Sequence, residues 1–373
     1  MLRILTLLSL ATFAAAAPGQ DSLATLRARF DQDREALVRE RQGRVSFQDF
    51  KAMATRHAAT LEAWLPDARG TDAVNGRLLL VNIQADIGQE DEARDTLKGL
   101  DVASAPALEL AAAAELAGRL GLGEERERWI DAAAGKDAPF EERMALALFL
   151  MTRLVEVARG EAIFDAALRA AEDDEKRAHV LWFRATAVRE REDLEEGAYE
   201  EALEDLAGRY PKTYWGGVAR DRRAAFDLEI GSEAIPFSGT TLAGEVVTLT
   251  GYRGKVLLLD FWAAPALRGR STHRELSKLA EEFGDQGFAV LGVAMDPDAA
   301  TTKKAVAEEG KTWPQVHDGR GLQADIALRY GIEQVPDYVL VGRDGKIAAI
   351  RVFLQDEYGV RELRDAVERA LRQ

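Results

Sequence analysis

The chain has 373 residues, 47% hydrophobic and 30% charged, a balance that suits a soluble globular protein of two or three domains. Formal net charge is −15, of which 18 Lys+Arg against 22 Asp+Glu fall from Glu229 onward; this acidity argues against nucleic acid as a partner and gives no attraction to anionic membrane surfaces. Cysteine is absent from the whole sequence, which removes disulfides and every reaction that needs a thiolate.

Arg3, the apolar run Ile4–Phe13 and the small residues Ala14–Ala17 have the three parts of a secretory signal. The apolar run is too short to span a bilayer comfortably, and no longer apolar stretch follows. The expected product is an exported protein, periplasmic or extracellular, with a signal at 1–17 and no membrane insertion after its removal.

Residues 18–228 read as helical. In Ser22–Gln42, Leu23, Leu26, Phe30, Leu37 and Val38 recur three or four apart, the period of an amphipathic helix; Asp49–Leu65 continues the pattern to Pro66. Helix pairs joined by short turns are then predicted: Gly76–Leu100 around Gly88-Gln89, Leu108–Leu120 with Glu124–Ala134 around Gly121–Gly123, Arg143–Arg159 with Ala162–Ala171, and Ala178–Arg189 with Ala198–Tyr210. The stretch GAYEEALEDLAGRYP (Gly197–Pro211), with aromatic Tyr199 after the glycine and small Ala202 at the helix crossing, resembles a tetratricopeptide repeat, and Ile87–Leu97 shows the same pattern more faintly. Gly88 and Gly197 are not separated by a multiple of 34 residues, so the expectation is a repeat-like helical domain with no counted array. His57 and His179 stand alone on helices and read as packing or surface residues. Trp64, Trp129, Trp182 and Trp215 read as inter-helix filler.

Period and composition change at Glu229-Ile230-Gly231. A strand-like Glu245–Leu249 precedes Lys255–Trp262, a run apolar on both faces that suits a central strand covered by helices. Thr272–Phe283 is an amphipathic helix, Phe288–Met295 a second central strand, Ala299–Glu309 a helix and Gln323–Tyr330 a short one. Asp337–Gly342 and Lys346–Phe353 flank the hairpin signal Arg343-Asp344-Gly345, and Glu357–Arg372 is a final amphipathic helix. The order β-α-β-α-β-β-α gives the fold class: an α-helical repeat-like domain (18–228) followed by an α/β domain with a mixed sheet between helices (229–373).

The runs Ile230–Ala263, Gly287–Asp296 and Tyr330–Ile347 (IGSEAIPFSGTTLAGEVVTLTGYRGKVLLLDFWA, GFAVLGVAMD and YGIEQVPDYVLVGRDGKI) resemble the TlpA-like branch of thioredoxin-fold proteins. Those are exported thiol–disulfide proteins related to the alkyl hydroperoxide reductase/thiol-specific antioxidant group. The resemblance implies a thioredoxin-like fold over about 140 residues, and implies a T-W-C-x-x-C-R loop after FWA. Here that loop reads Ala264, Pro265, Ala266, Leu267, Arg268, Gly269, Arg270, so Ala266 and Gly269 stand where the two cysteines belong. The family's catalytic roles therefore do not transfer, and no thiol–disulfide or peroxidase activity is expected. The resemblance does carry over Asp260, as the buried acid beneath the thiol pair, and Pro336, as a cis-proline beside an edge that pairs with extended peptides. A buried carboxylate needs a hydrogen bond, a partner charge or a shifted pKa.

The altered loop gives little sign of other chemistry. Ser271, His273 and Asp260 are the makings of a triad, but adjacent helix residues face different ways and Ser/Thr at a helix start usually cap it. Arg268 and Arg270 at a helix N-terminus make a candidate anion site. Asp296 and Asp298 beside Pro297 fit a helix start better than a metal site. The expected function is binding of a protein or extended peptide, with Trp262, Arg268, Arg270, Val335 and Pro336 as candidate contacts. A place in a thiol–disulfide pathway without its own thiol chemistry, and a new non-thiol enzyme using the loop, are the alternatives. Neither cofactor nor metal is expected, and the oligomeric state is left open.

Overall fold

The computed structural model describes residues 21–41, 44–191, 193–195, 197–264, 269–350 and 357–373. The proposed signal at 1–17 lies outside them, as do Pro265, Ala266, Leu267 and Arg268. The chain forms two compact units, one comprising residues up to Glu172 with Phe183–Leu194, the other Asp173–Trp182 with Glu195–Gln373. Among the described residues no helix is long and apolar enough to cross a membrane.

The first unit is helical: α1 (Leu23–Glu40), α2 (Phe47–Trp64), α3 (Gly70–Asp86), α4 (Glu90–Lys98), α5 (Ala107–Arg119), α6 (Gly123–Ala134), α7 (Phe140–Thr152) and α8 (Val157–Ala170), with part of α9 (Asp174–Arg189). Serine caps start the first two helices, Ser22 Oγ accepting from Thr25 N and Ser46 Oγ from Asp49 N, which satisfies backbone donors that a helix start leaves free. Leu78, Val81, Leu97, Leu110, Trp129, Ile130 and Leu150 meet in one buried cluster, so Trp129 is core. Trp64 packs half-buried on a second cluster around Leu61 and Leu80.

The structure corrects one helix boundary. Arg143–Arg159 is not continuous: α7 stops at Thr152 and α8 starts at Val157. Between them Val155 has φ +59° and is 75% exposed. The turn was invisible in sequence because neither glycine nor proline marks it, whereas the equivalent turns carry Gly88 at +81° and Gly121 at +73°. A β-branched residue in the left-handed region is strained, and glycine is not. Val155→Gly is therefore expected to stabilise the protein by about 1 kcal/mol; an unchanged or lower denaturation midpoint would show that the turn is unstrained.

The second unit adds α10 (Ala198–Arg209) and α11 (Tyr214–Phe226), the latter not anticipated from sequence and capped by Thr213 Oγ1, which accepts from Gly216 N at 3.0 Å. Trp215 on α11 stacks on His179 at 4.4 Å and on Trp182 at 5.4 Å. Burial, with a smaller push from the Arg320 charge, lowers the His179 pKa to about 4. A base with a depressed folded pKa binds its proton more readily when unfolded. Its penalty is therefore absent above pH 6.5 and grows as pH falls toward 4. The parent should lose about 1–2 kcal/mol more than His179→Phe between pH 7 and 4, allowing for partial solvent screening. Parallel stability profiles would show that His179 protonates freely.

The α/β part carries β1 (Ser238–Thr240), β2 (Val246–Thr248), β3 (Val256–Trp262), α12 (Gly269–Phe283), β4 (Phe288–Ala294), α13 (Ala299–Glu309), β5 (Gln315–Val316), α14 (Asp325–Arg329), β6 (Asp337–Val341), β7 (Ile347–Ile350) and α15 (Glu357–Arg372). The main sheet runs β5-β4-β3-β6-β7, with β3, β4 and β5 parallel to one another, β6 antiparallel to β3, and β7 antiparallel to β6. This is a thioredoxin-like mixed sheet. Every residue of β3 is buried, and its side chains alternate between two cores. Leu257, Leu259 and Phe261 meet Ile326, Ala327 and Tyr330 on one face. Val256 and Leu258 meet Leu276, Leu279, Leu363 and Val367 of α12 and α15 on the other. The hairpin turn at Arg343-Asp344-Gly345 has Gly345 at φ +86°. The continuation Arg351–Phe353 of the predicted last strand lies outside the described residues.

Candidate functional site

Strand β3 delivers Asp260 and Trp262 to the carboxyl end of the parallel strands, where open α/β sheets generally place their sites. Asp260 is 1% exposed and lies in register with Gly292 on β4 and Tyr338 on β6. Its buried charge has a partner: Lys311 Nζ donates to Asp260 Oδ2 at 3.0 Å, both side chains being almost fully enclosed. The same ammonium sits 3.9 Å from the centre of the Trp262 ring and 5.7 Å from that of Trp313, within cation–π range.

Gln315 completes this floor. Its Oε1 accepts from Trp262 Nε1 at 2.8 Å and its Nε2 donates to the Trp313 carbonyl at 3.1 Å. The amide occupies the space above Gly292, where a Cβ would come within 1.8 Å of Gln315 Oε1. Glycine at 292 is thus a packing requirement of the polar network. Sequence reasoning missed Lys311, Trp313 and Gln315. The three lie close together in the run KTWPQ, but only Gln315 belongs to a strand, so no period marks them.

Beside it, Asp296 is 2% exposed and holds the start of the altered loop. Its Oδ1 accepts from Ala264 N at 2.9 Å, its Oδ2 from Thr302 Oγ1 at 3.1 Å, and His317 Nε2 donates to its carbonyl at 2.9 Å. Asp298 caps α13, accepting from Ala300 N and Thr301 N, and these bonds hold its carboxyl below the usual carboxylate range, the Thr301 hydroxyl contributing most. The structure therefore gives the two aspartates different jobs, and only Asp298 starts the helix. Among the described residues no cluster of potential ligands could hold a metal ion.

The remaining candidates are placed as follows. Trp262 is buried, 5% exposed, so its ring face serves Lys311 and is no open contact surface. Gly269 and Arg270 open α12; the side chains of residues 265–273, including Arg268, Arg270, Ser271 and His273, lie outside the description, and the anion and triad readings rest on sequence alone. Val335 and Pro336 are half-buried at the start of β6, Val335 packing on the Leu257–Phe261 core. The Val335–Pro336 peptide is cis, the geometry that the resemblance implies. What these residues can do chemically is limited: they offer a paired buried charge, a hydrogen-bonded floor and a half-buried turn, and no nucleophilic sulfur.

Comparison with known proteins gives a consistent result. A family model described as Redoxin matches residues 229–366. The thiol-disulfide oxidoreductase ResA of Halalkalibacterium halodurans is 28% identical over 158 residues, 42% of this chain and 85% of that one. The thioredoxin-like protein YneN of Bacillus subtilis is 30% identical over 143 residues, 38% of this chain and 81% of that one. A solved thiol-disulfide oxidoreductase from Bacteroides fragilis aligns with 36% of this chain and 98% of its own at 30% identity, with a TM-score of 0.33.

Proposed function

We propose that this chain, whose C-terminal domain (residues 229–366) belongs to the Redoxin family and is homologous to ResA-like thiol–disulfide oxidoreductases, acts by binding a protein or extended peptide. The observation that carries the reading is the combination of a cysteine-free sequence with a floor that stays fully built, Asp260 being paired to Lys311 and Trp262 to Gln315. A scaffold that keeps its buried polar groups satisfied remains rigid, and rigidity lowers the entropic cost of capturing an extended segment. The turn carrying Val335 and Pro336 is the proposed contact, with Arg268 and Arg270 favouring acidic segments.

Export is part of the proposal, supported by the charge, apolar run and small residues of Arg3–Ala17. So is a helical repeat in the first unit. Its support is that the turns at Gly88, Gly121 and Val155 follow at spacings of 33 and 34 residues. Contacts recur with them: Arg119 donates to Asn82 and Arg153 to Glu115 across successive helix pairs, and Arg94 and Arg126 donate to the Leu120 and Leu154 carbonyls. Stacked pairs of this kind present an extended face to partners.

The test is fluorescence anisotropy with labelled, carboxymethylated α-lactalbumin, a permanently unfolded chain. Saturable binding that Val335→Arg weakens by about tenfold or more is expected, equivalent to about 1.4 kcal/mol. No saturable binding, or binding indifferent to Val335→Arg, would overturn the reading.

A further inference from the structure

Helix α11 reaches into the turn that precedes β6. Arg222 on α11 has a side chain only 3% exposed, and its Nη2 donates to the carboxylate of Glu333, whose side chain is 56% exposed. The helix runs flush against the turn at this point. Gly331 has φ +70°, and a Cβ there would lie 3.1 Å from Arg222 Nη1 and 3.3 Å from Ala225 Cβ. The turn itself is closed by Gly331 N donating to Leu328 O at 3.2 Å and Ile332 N to Ala327 O at 2.9 Å. Val335 and Pro336 follow Glu333 after a single residue, Gln334.

Other contacts join α11 to α14 and the segment before it. Arg329 pairs with Asp221, Tyr214 Oη donates to Asp325 at 2.7 Å, and Arg320 donates to Tyr214 Oη at 2.6 Å. Those bonds dock α11 on α14, so docking does not require Arg222. Burying a guanidinium against an exposed carboxylate costs desolvation, and its Nε has no hydrogen-bond partner among the described residues; an apolar side chain of similar length would pack there at no such cost. What the arginine adds is geometry, because its planar fork fixes the direction of the carboxylate it holds.

We propose that Arg222 is a positioning residue for the 331–336 turn and, through it, for Val335 and Pro336. This rests on the reading of that turn as the binding edge. Helix α11 would then be part of the binding machinery and not a spacer.

The test compares the full-length parent with Arg222→Met and with the isosteric Glu333→Gln, with the β3 amides serving as the internal control for global destabilisation. Hydrogen exchange at the Gly331 and Ile332 amides is expected to quicken by about tenfold in both variants while β3 amides stay unchanged. Affinity for carboxymethylated α-lactalbumin should fall by about fivefold in both variants. Unchanged exchange at Gly331 and Ile332 in Glu333→Gln, equal acceleration in β3, or undiminished affinity alongside local acceleration would each overturn the inference. A parent that binds no probe removes the binding reading instead, and the exchange comparison then decides the positioning claim by itself.

Discussion

Replacing Ala266 and Gly269 by cysteine is expected to give a protein that exchanges disulfides, where the parent does not. Position 269 is the first residue of α12 and position 266 lies three residues before it, the spacing of a C-x-x-C pair at a helix N-terminus. Such a location stabilises a thiolate, because the helix start offers unpaired N–H donors and a favourable dipole. The rest of the framework persists in the Redoxin domain, with Ala264 N held by Asp296 at the mouth of the loop. Reduction of insulin with dithiothreitol as reductant should therefore exceed the parent's background by about a hundredfold, since exchange by thiolate attack replaces no reaction at all. Mass spectrometry should find the two introduced thiols joined after oxidation. A folded double variant whose thiols stay apart would show that the loop is aligned wrongly.

The second large effect is on stability. Lys311→Ala leaves the Asp260 carboxylate buried with its cationic partner removed, and should cost about 3–5 kcal/mol, the range for breaking a buried ion pair from one side. Asp260→Leu combined with Lys311→Met removes both charges. It should recover most of that loss, because desolvating two ions offsets much of what their attraction contributes. Denaturant midpoints of the three proteins measure this directly. A small effect of Lys311→Ala would mean that solvent reaches Asp260, contrary to its burial.

Much of the α/β domain was legible because its determinants are local and repetitive. The doubly apolar run of β3 demanded helices on both faces, the Asp-Gly dipeptide marked the last hairpin, and the motif resemblance placed Asp260 and Pro336. The partner of Asp260 was not legible. Lys311 is 51 residues away in the chain, and its role depends on a two-residue strand, β5, too short to show a period of its own. The same holds for Gln315, whose place exists only because residue 292 is glycine. In the helical region, turns marked by glycine were read correctly, while the one at Val155 was missed because the residue there is unsuited to its conformation. Helix α11 escaped because its apolar side is interrupted by Arg222, a charge whose burial no hydrophobic pattern reveals. Two of the proposed contact residues, Arg268 and Arg270, are known by position in the sequence only.

The central claim is that a redoxin domain here works without thiol chemistry. The most direct measurement is reduction of insulin disulfides by the purified, unaltered protein in the presence of dithiothreitol, set against a boiled sample of the same preparation. The account predicts equal rates in the two samples, since no residue of the chain can form or resolve a mixed disulfide. Turnover by the native sample above the boiled one would contradict it.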